Sequence, residues 1–376
     1  MKTISTMKSK IGNNLAVVIK QMRGMIASLF TISMILAPWG TATAADAVKW
    51  HPGHYYELER MGKYSPDYMK KVYNEITQTQ ALRGIVVRYG WGELEKSKDV
   101  YDFSSINKLL TELTARKKRL IILLETKSST TKANAALAPD YIKTAAYDGG
   151  TYTFSAGRGT AGHGLKLWNL AVHDRKAKLI SELGKRFNSN PYFEGIGYTE
   201  TSLGQVSLST TTVDKHYKNL LSLNKKLRAS FPNTMTFQYT NYPRPIVKTY
   251  IDTFKQTGTA LGCPDVFLDD KGLTFQGDNP GVYTYYPKLS GTLPLVVQVE
   301  KANYMDTRHD GTGYQPSIAE LLNYARDNLK VNYIFWVRSL GYYPKVLSVL
   351  EQQSQTRTSA GGLKSACPSV YPSCVQ

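Results

Sequence analysis

Eight short apolar runs recur along the sequence, and most are continuously apolar rather than alternating. They are Val48 to Tyr55, Gly84 to Arg88, Leu120 to Glu125, Gly195 to Glu200, Met235 to Thr240, Val266 to Asp269, Leu295 to Glu300 and Tyr333 to Val337. Strands of a parallel sheet read this way, because both of their faces are covered. Between the runs lie segments of helical period. Pro66 to Thr77 follows Ser65, a capping residue, and starts with proline, which the first helical turn tolerates. Ser104 to Lys117 sets Ile106, Leu109, Leu110 and Leu113 on one face. Asp174 to Phe187, Val213 to Ala229, Pro245 to Phe254, Ser317 to Leu329 and Tyr343 to Leu350 follow the same pattern. Strand and helix alternating eight times predicts an α/β fold, a (β/α)₈ TIM barrel with long loops on its catalytic face, over residues 45–355. An open doubly wound sheet would carry a glycine-rich phosphate turn after an early strand, and the chain has none.

The segment before the first run has a different character. Lys2, Lys8, Lys10, Lys20 and Arg23 precede an apolar stretch from Met25 to Pro38, and no acid occurs before Asp46. Ala42-Thr43-Ala44 then supplies the small-x-small pattern of a signal-peptidase site. Residues 1–44 are therefore expected to be an export signal and the product to be secreted or periplasmic, without stable membrane insertion; an uncleaved amphipathic anchor is the alternative. The segment accounts for five of the 18 net positive charges. Residues 356–376 form a Ser- and Pro-rich tail in which Cys367 and Cys374 could close a small loop. Cys263 is left over as a buried thiol. No Cys or His set has zinc spacing, so neither metal nor cofactor is expected.

In such barrels the chemistry sits at the C-terminal ends of the strands. Read in order, those ends offer His51 or His54, Arg88, Glu125, Glu200, Tyr239, Asp269, Glu300 and Trp336. A carboxylate placed straight after four or five apolar residues must be paired, hydrogen-bonded or catalytic. Glu200 and Glu300 close the fourth and seventh runs, and two carboxylates facing across a barrel mouth are what glycosidic bond cleavage requires. As alternatives, the two glutamates could be structural partners of Arg88 or Arg338, Trp91 and Trp336 could be core residues, and Asp269 or Asp270 could cap a loop.

At this point the chain resembles the clan A glycoside hydrolases over roughly Leu82 to Pro344. The stretches that carry the likeness are Val87-Arg-Tyr-Gly-Trp-Gly-Glu-Leu-Glu95, Tyr101-Asp-Phe-Ser104, Leu167-Trp-Asn-Leu-Ala-Val-His-Asp174 and Phe187-Asn-Ser-Asn-Pro-Tyr192. The resemblance implies Glu200 as acid/base, Glu300 as nucleophile, Arg88 as the nucleophile's partner and Trp336 as a sugar platform. Trp91, Glu125, Thr199, Tyr239, Asp269 and Tyr304 complete the expected substrate contacts. Thr199 departs from the family, which has asparagine before the acid/base, and leaves the sugar at the cleavage position open.

The connection from Thr126 to Trp168 and the loops Lys271 to Lys288 and Lys301 to Gln315 lie on the predicted catalytic face. Their tyrosines are expected to line a groove for a polysaccharide. Lys127, Lys166, Lys271, Lys301, Arg308 and Arg338 are expected near its mouth, which would suit an acidic exopolysaccharide; the competing view puts the basic residues on the outer helices. A monomer is expected. A nucleic-acid partner is not, because the basic residues do not interleave with aromatics on one strand face. A non-catalytic carbohydrate-binding barrel remains the alternative to a retaining, endo-acting hydrolase.

Overall fold

The computed structural model describes residues 47–129, 136–155, 161–305, 313–352, 358 and 360–376. The expected export signal and Arg308 lie outside them.

Eight parallel strands close into a barrel. They are β1 (Gly53–Glu57), β2 (Leu82–Tyr89), β3 (Arg119–Leu124), β4 (Phe193–Tyr198), β5 (Met235–Tyr239), β6 (Ala260–Cys263), β7 (Leu295–Val299) and β8 (Tyr333–Val337). Each pairs with the next in sequence, and β8 closes the ring on β1 with Tyr333 opposite Gly53 and Val337 opposite Glu57. The fold is thus the (β/α)₈ TIM barrel. The helices that alternate with the strands are α1 (Pro66–Gln78), α2 (Ser104–Ala115), α3 (Leu170–Phe187), α4 (Thr210–Ser230), α5 (Arg244–Thr257), the single turn α6 (Tyr286–Leu289), α7 (Ile318–Asn323) and α8 (Tyr343–Gln352). α7 runs on into a π turn over Tyr324–Asn328. Side-chain caps fix several starts: Ser65 accepts from Tyr68 N, Asn169 from Ala171 N, and Ser317 and Glu320 form a reciprocal capping box. Among the described residues no helix is long and apolar enough to cross a membrane.

Two strands differ from expectation. The first run is split: Val48–Lys49 pairs in parallel with Cys374–Val375, and β1 begins only at Gly53. The sixth strand is Ala260–Cys263, ahead of the expected Val266 to Asp269. Pro264 lacks the N–H a ladder needs, and Val266 N donates instead to Asn303 Oδ1 at 3.2 Å.

Alternation along the strands sorts two cores. Tyr55, Val86, Ile121, Leu123, Phe237, Tyr239, Val296, Tyr333 and Phe335 fill the barrel interior, while the opposite parity packs against the helices. Gly197 makes room inside: a Cβ there would lie 2.5 Å from the Phe237 ring.

The end of the barrel opposite the strand C-termini is sealed by Val48, Trp50 and Tyr371, with Trp50 edge-on to Tyr333 at 5.3 Å. Beside this floor, buried Glu194 accepts from His51 N, faces His51 Nδ1 at 2.8 Å and accepts from Tyr333 Oη at 2.8 Å. The Cys367–Cys374 disulfide closes the tail under it, and Cys263 is free and buried within β6.

The long β3–α3 connection is folded, not loose. Lys127–Ser128, Ala161–Leu165 and Thr151–Ser155 make a small antiparallel sheet, and Ser155 bridges to Gln205 in the loop after β4.

Candidate active site

A cleft of about 780 Å³ opens over the C-terminal ends of the strands. Glu57 from β1, Arg88 from β2, Glu125 after β3, Glu200 after β4 and Glu300 after β7 all line it. Glu200 and Glu300 are thus brought to one cavity by strands well apart in sequence. A further hollow of about 390 Å³ lies between α1 and α2 on the outer wall and holds none of these carboxylates.

Arg88 sits at the hub. Its Nε donates to Glu57 Oε1 at 2.7 Å, its Nη2 donates to Gln298 Oε1 at 3.0 Å, and Nη2 lies 3.5 Å from Glu300 Oε1. Gln298, two residues before Glu300 and on the same strand face, donates from Nε2 to Glu300 Oε1 at 2.7 Å. The Glu300 backbone N–H donates to Asn303 Oδ1 at 2.7 Å, which ties the short Lys301–Met305 helix to the strand end. One carboxylate oxygen is therefore aimed by an amide and a guanidinium.

Glu200 is held differently. Its Oε1 is 3.1 Å from Lys127 Nζ, and Lys127 in turn lies over the Phe154 ring at 5.1 Å. Its backbone is anchored one residue earlier, where buried Gln238 donates through Nε2 to Thr199 O. The Glu200 and Glu300 side chains keep 39% and 42% of their surface exposed, against 2% for Glu57. Glu125 is buried, and Arg60 bridges it to Glu93, at 2.8 Å to each.

Burial, only partly offset by Arg88, pushes the Glu57 carboxyl above the usual carboxylate range, and the charges of Glu300 and Glu125 add to the effect. Asp265, just past β6, is pushed up to about 7, first by lost hydration and then by the Glu300 charge; Asn303 Nδ2 faces its Oδ1 at 3.4 Å. Neither residue was picked out by sequence. Glu57 does close an apolar run, but the expected run stops at Tyr55, two residues short of it, and Asp265 was hidden by the misplaced sixth strand. His51 belongs to the floor, and His54 receives Trp336 Nε1 at 3.0 Å outside the barrel, so neither reaches the cleft.

Several expected contacts lie elsewhere. Trp336 is fully buried on the helix-facing side of β8 because its inward neighbours are Tyr333 and Phe335. Trp91 is equally buried and donates through Nε1 to Glu95 Oε2 at 2.6 Å. Tyr304 stacks on Tyr342 at 5.1 Å and donates to Val337 O. Asp269 is exposed beside Asp270, whose Oδ1 accepts from Gly272 N and Leu273 N. Thr199 is buried, with its hydroxyl 3.4 Å from Thr126 N. Tyr239 is buried in the barrel interior, where the Glu57 and Glu300 charges act on its hydroxyl, and it is not part of the lining.

Among the described lining residues Phe154 is the one aromatic ring. Tyr283 and Tyr286, expected in a groove, are buried; Tyr286 donates to Val296 O at 2.7 Å. Of the basic residues expected at the mouth, Lys127 lines the cleft. Arg338 instead pairs with Glu75 at 2.7 Å, away from it, and Lys166 pairs with Asp148 at 3.0 Å. Among the described residues no three His, Cys, Asp or Glu side chains gather to hold a metal.

No protein-family model matches the chain, and no curated protein matches it by sequence. Among solved structures it is similar to the catalytic domain of beta-amylase from Paenibacillus polymyxa, with a TM-score of 0.54 and 11% identity over 80% of this chain and 98% of that one. That likeness shows a shared barrel fold. Endo-glycoceramidase II from Rhodococcus sp. aligns with a TM-score of 0.49 and 12% identity over 78% of this chain and 76% of that one.

Proposed function

We propose that this protein is a glycoside hydrolase, with Glu300 as nucleophile and Glu200 as acid/base. The observation that carries the reading is the pairing of the two half-exposed strand-end carboxylates in one cleft, while Glu57 and Glu125 beside them are buried and ion-paired. A buried ion-paired carboxylate serves structure or recognition; an accessible, aimed one can react. Gln298 and Arg88 direct Glu300 and hold its charge, as a nucleophile at an anomeric carbon needs.

In the first step Glu300 attacks that carbon while Glu200 gives its proton to the departing oxygen. To do so Glu200 exchanges the Lys127 ammonium for a proton as substrate fills the cleft. Glu200 then takes a proton from the incoming water, whose oxygen displaces Glu300, and the anomeric configuration is retained. The cleft is bordered by the folded β3–α3 connection through Lys127, Ser128, Phe154 and Ser155, which favours a chain substrate and internal cleavage. Export of the mature chain, its action as a monomer and a polysaccharide substrate outside the cell belong to the same proposal.

The test is a screen of neutral and acidic polysaccharides with product configuration followed by NMR. Glu300→Gln is expected to abolish turnover while leaving the unfolding midpoint in place. Near wild-type activity in that variant refutes the assignment, and inverted product refutes the nucleophile role.

A further inference from the structure

Glu57 has a property that the proposed chemistry does not use. It is 2% exposed and lines the cleft, and one of its oxygens, Oε1, is taken by Arg88 at 2.7 Å. The other, Oε2, has no hydrogen-bond partner among the described residues. A buried carboxylate oxygen without a donor is costly, because its lost hydration is not replaced. Such an oxygen beside a cleft is satisfied by a donor that arrives with the ligand, and the side chain must turn to meet it, because Oε2 is closed to solvent in the free protein. Burial already drives this carboxyl's affinity for a proton upward, which is the same unmet demand in another form.

The cations of the lining bear on what can arrive. Arg60 holds Glu93 and Glu125, Arg88 holds Glu57 and lies against Glu300, and Lys127 holds Glu200. Among the described lining residues each of these three cations is committed to a carboxylate, while Glu57, Glu59, Glu125, Glu200 and Glu300 line the same cavity. A sugar carboxylate entering beside Glu57 and Glu300 would meet like charge with its counter-ions already engaged. A hydroxyl would meet a free acceptor.

Resting on the glycosidase reading, we propose that Glu57 is a specificity-determining residue. Its Oε2 accepts a hydrogen bond from a hydroxyl of the ring seated beside Glu300, so the cleft selects a neutral ring over a uronate there. This narrows the expectation of an acidic polymer: acidic groups are excluded from the ring being attacked, whatever the rest of the chain carries.

The experiment compares wild type with Glu57→Gln and Glu57→Ala. The substrates are the α- and β-linked 4-nitrophenyl glycosides of glucose, galactose, mannose and xylose, set against the glucuronide and galacturonide. Binding of the same compounds to the Glu200→Gln protein is followed by calorimetry, and circular dichroism checks each fold. Glutamine keeps the oxygen that faces Arg88 and replaces Oε2 by an amide donor. The ratio of kcat/KM for the neutral glycoside to that for the uronide is expected to fall at least 10-fold in Glu57→Gln. An equal loss on both substrate classes overturns the inference, because a merely structural Glu57 would move both together. Preference of the wild type for the uronide overturns it as well. Failure of every glycoside to bind or react, or unchanged discrimination in Glu57→Gln, overturns the inference alone; the glycosidase reading falls only if the polysaccharide screen also yields no product.

Discussion

Replacing Arg88 by methionine removes the cation at the hub and leaves its shape. The change strands Glu57, which is buried and 2.7 Å from the guanidinium, and removes a donor from Gln298 and a counter-charge from Glu300. Breaking a buried pair from one side costs about 3–5 kcal/mol. The Arg88 side chain is 24% exposed, so solvent screens part of its field and the low end, about 3 kcal/mol, applies. The cost depends on pH with a definite sign. Without Arg88, two influences that hold the Glu57 carboxyl down are gone, and its folded pKa climbs further above the unfolded value. A group shifted that way binds its proton more tightly when folded, so the penalty is absent below the unfolded pKa and grows as pH rises. Urea unfolding is expected to show a deficit of about 3 kcal/mol at pH 7.5 that shrinks to roughly 1 kcal/mol near pH 5. Glu57→Gln added to Arg88→Met should recover about 2 kcal/mol at pH 7.5, because the stranded charge is then gone. A deficit that does not change with pH, or a double variant whose losses simply add, refutes the reasoning that the pair is electrostatically coupled.

Other outcomes follow from the same geometry. Asp265, raised from 3.8 to about 7, binds its proton more tightly in the folded state, so stability falls as pH rises between those values by at most about 1.4 kcal/mol per unit. Asp265→Asn should flatten that slope in denaturant titrations, and an unaltered slope would remove Asp265 as its source. Mutating both Cys367 and Cys374 to serine opens a loop of sequence separation 7, worth about 2 kcal/mol on a chain-entropy basis; an unchanged unfolding midpoint would count against that account. Glu194→Leu leaves the His51 and Tyr333 donors unmet under the barrel and should cost about 3–5 kcal/mol in urea unfolding, with sugar binding by the folded fraction unaffected. Loss of binding by folded Glu194→Leu protein would contradict the separation of floor from cleft.

Much of the barrel was legible because its strands are covered on both sides and so read as unbroken apolar runs. The same property hid which parity faces inward. In Tyr333-Ile-Phe-Trp-Val337 every residue is apolar, and only the register with β1 and β7 turns Trp336 toward the helices. The large aromatics followed the same route, and the expected sugar platforms became packing. Glu200 and Glu300 were legible for the opposite reason, since a charge that ends an apolar run marks where the strand leaves the core. Glu57 follows that rule too, but Val48 and Trp50 are apolar on account of the floor they build, and they drew the first strand back toward the N-terminus. The sixth strand is four residues long and less apolar than the Val266 to Leu268 segment that follows it, so composition favoured the wrong one. Arg88's ties to Glu57 and Gln298 join residues far apart in sequence, and nothing local announces them.

The floor has a use beyond sealing the interior. Val48 N donates to Ser373 O at 3.0 Å and Trp50 N to Val375 O at 2.9 Å, so the two ends of the barrel's chain run side by side on the face away from the cleft. In a variant begun at Ala47, a short linker from Gln376 would make a circular permutant whose new ends can be placed in an outer helix–strand turn. Equally, cargo or a solid support attached at Gln376 would leave the mouth facing solvent. If the proposed activity holds, that sets the geometry of immobilisation: held by its base, with the working face presented outward.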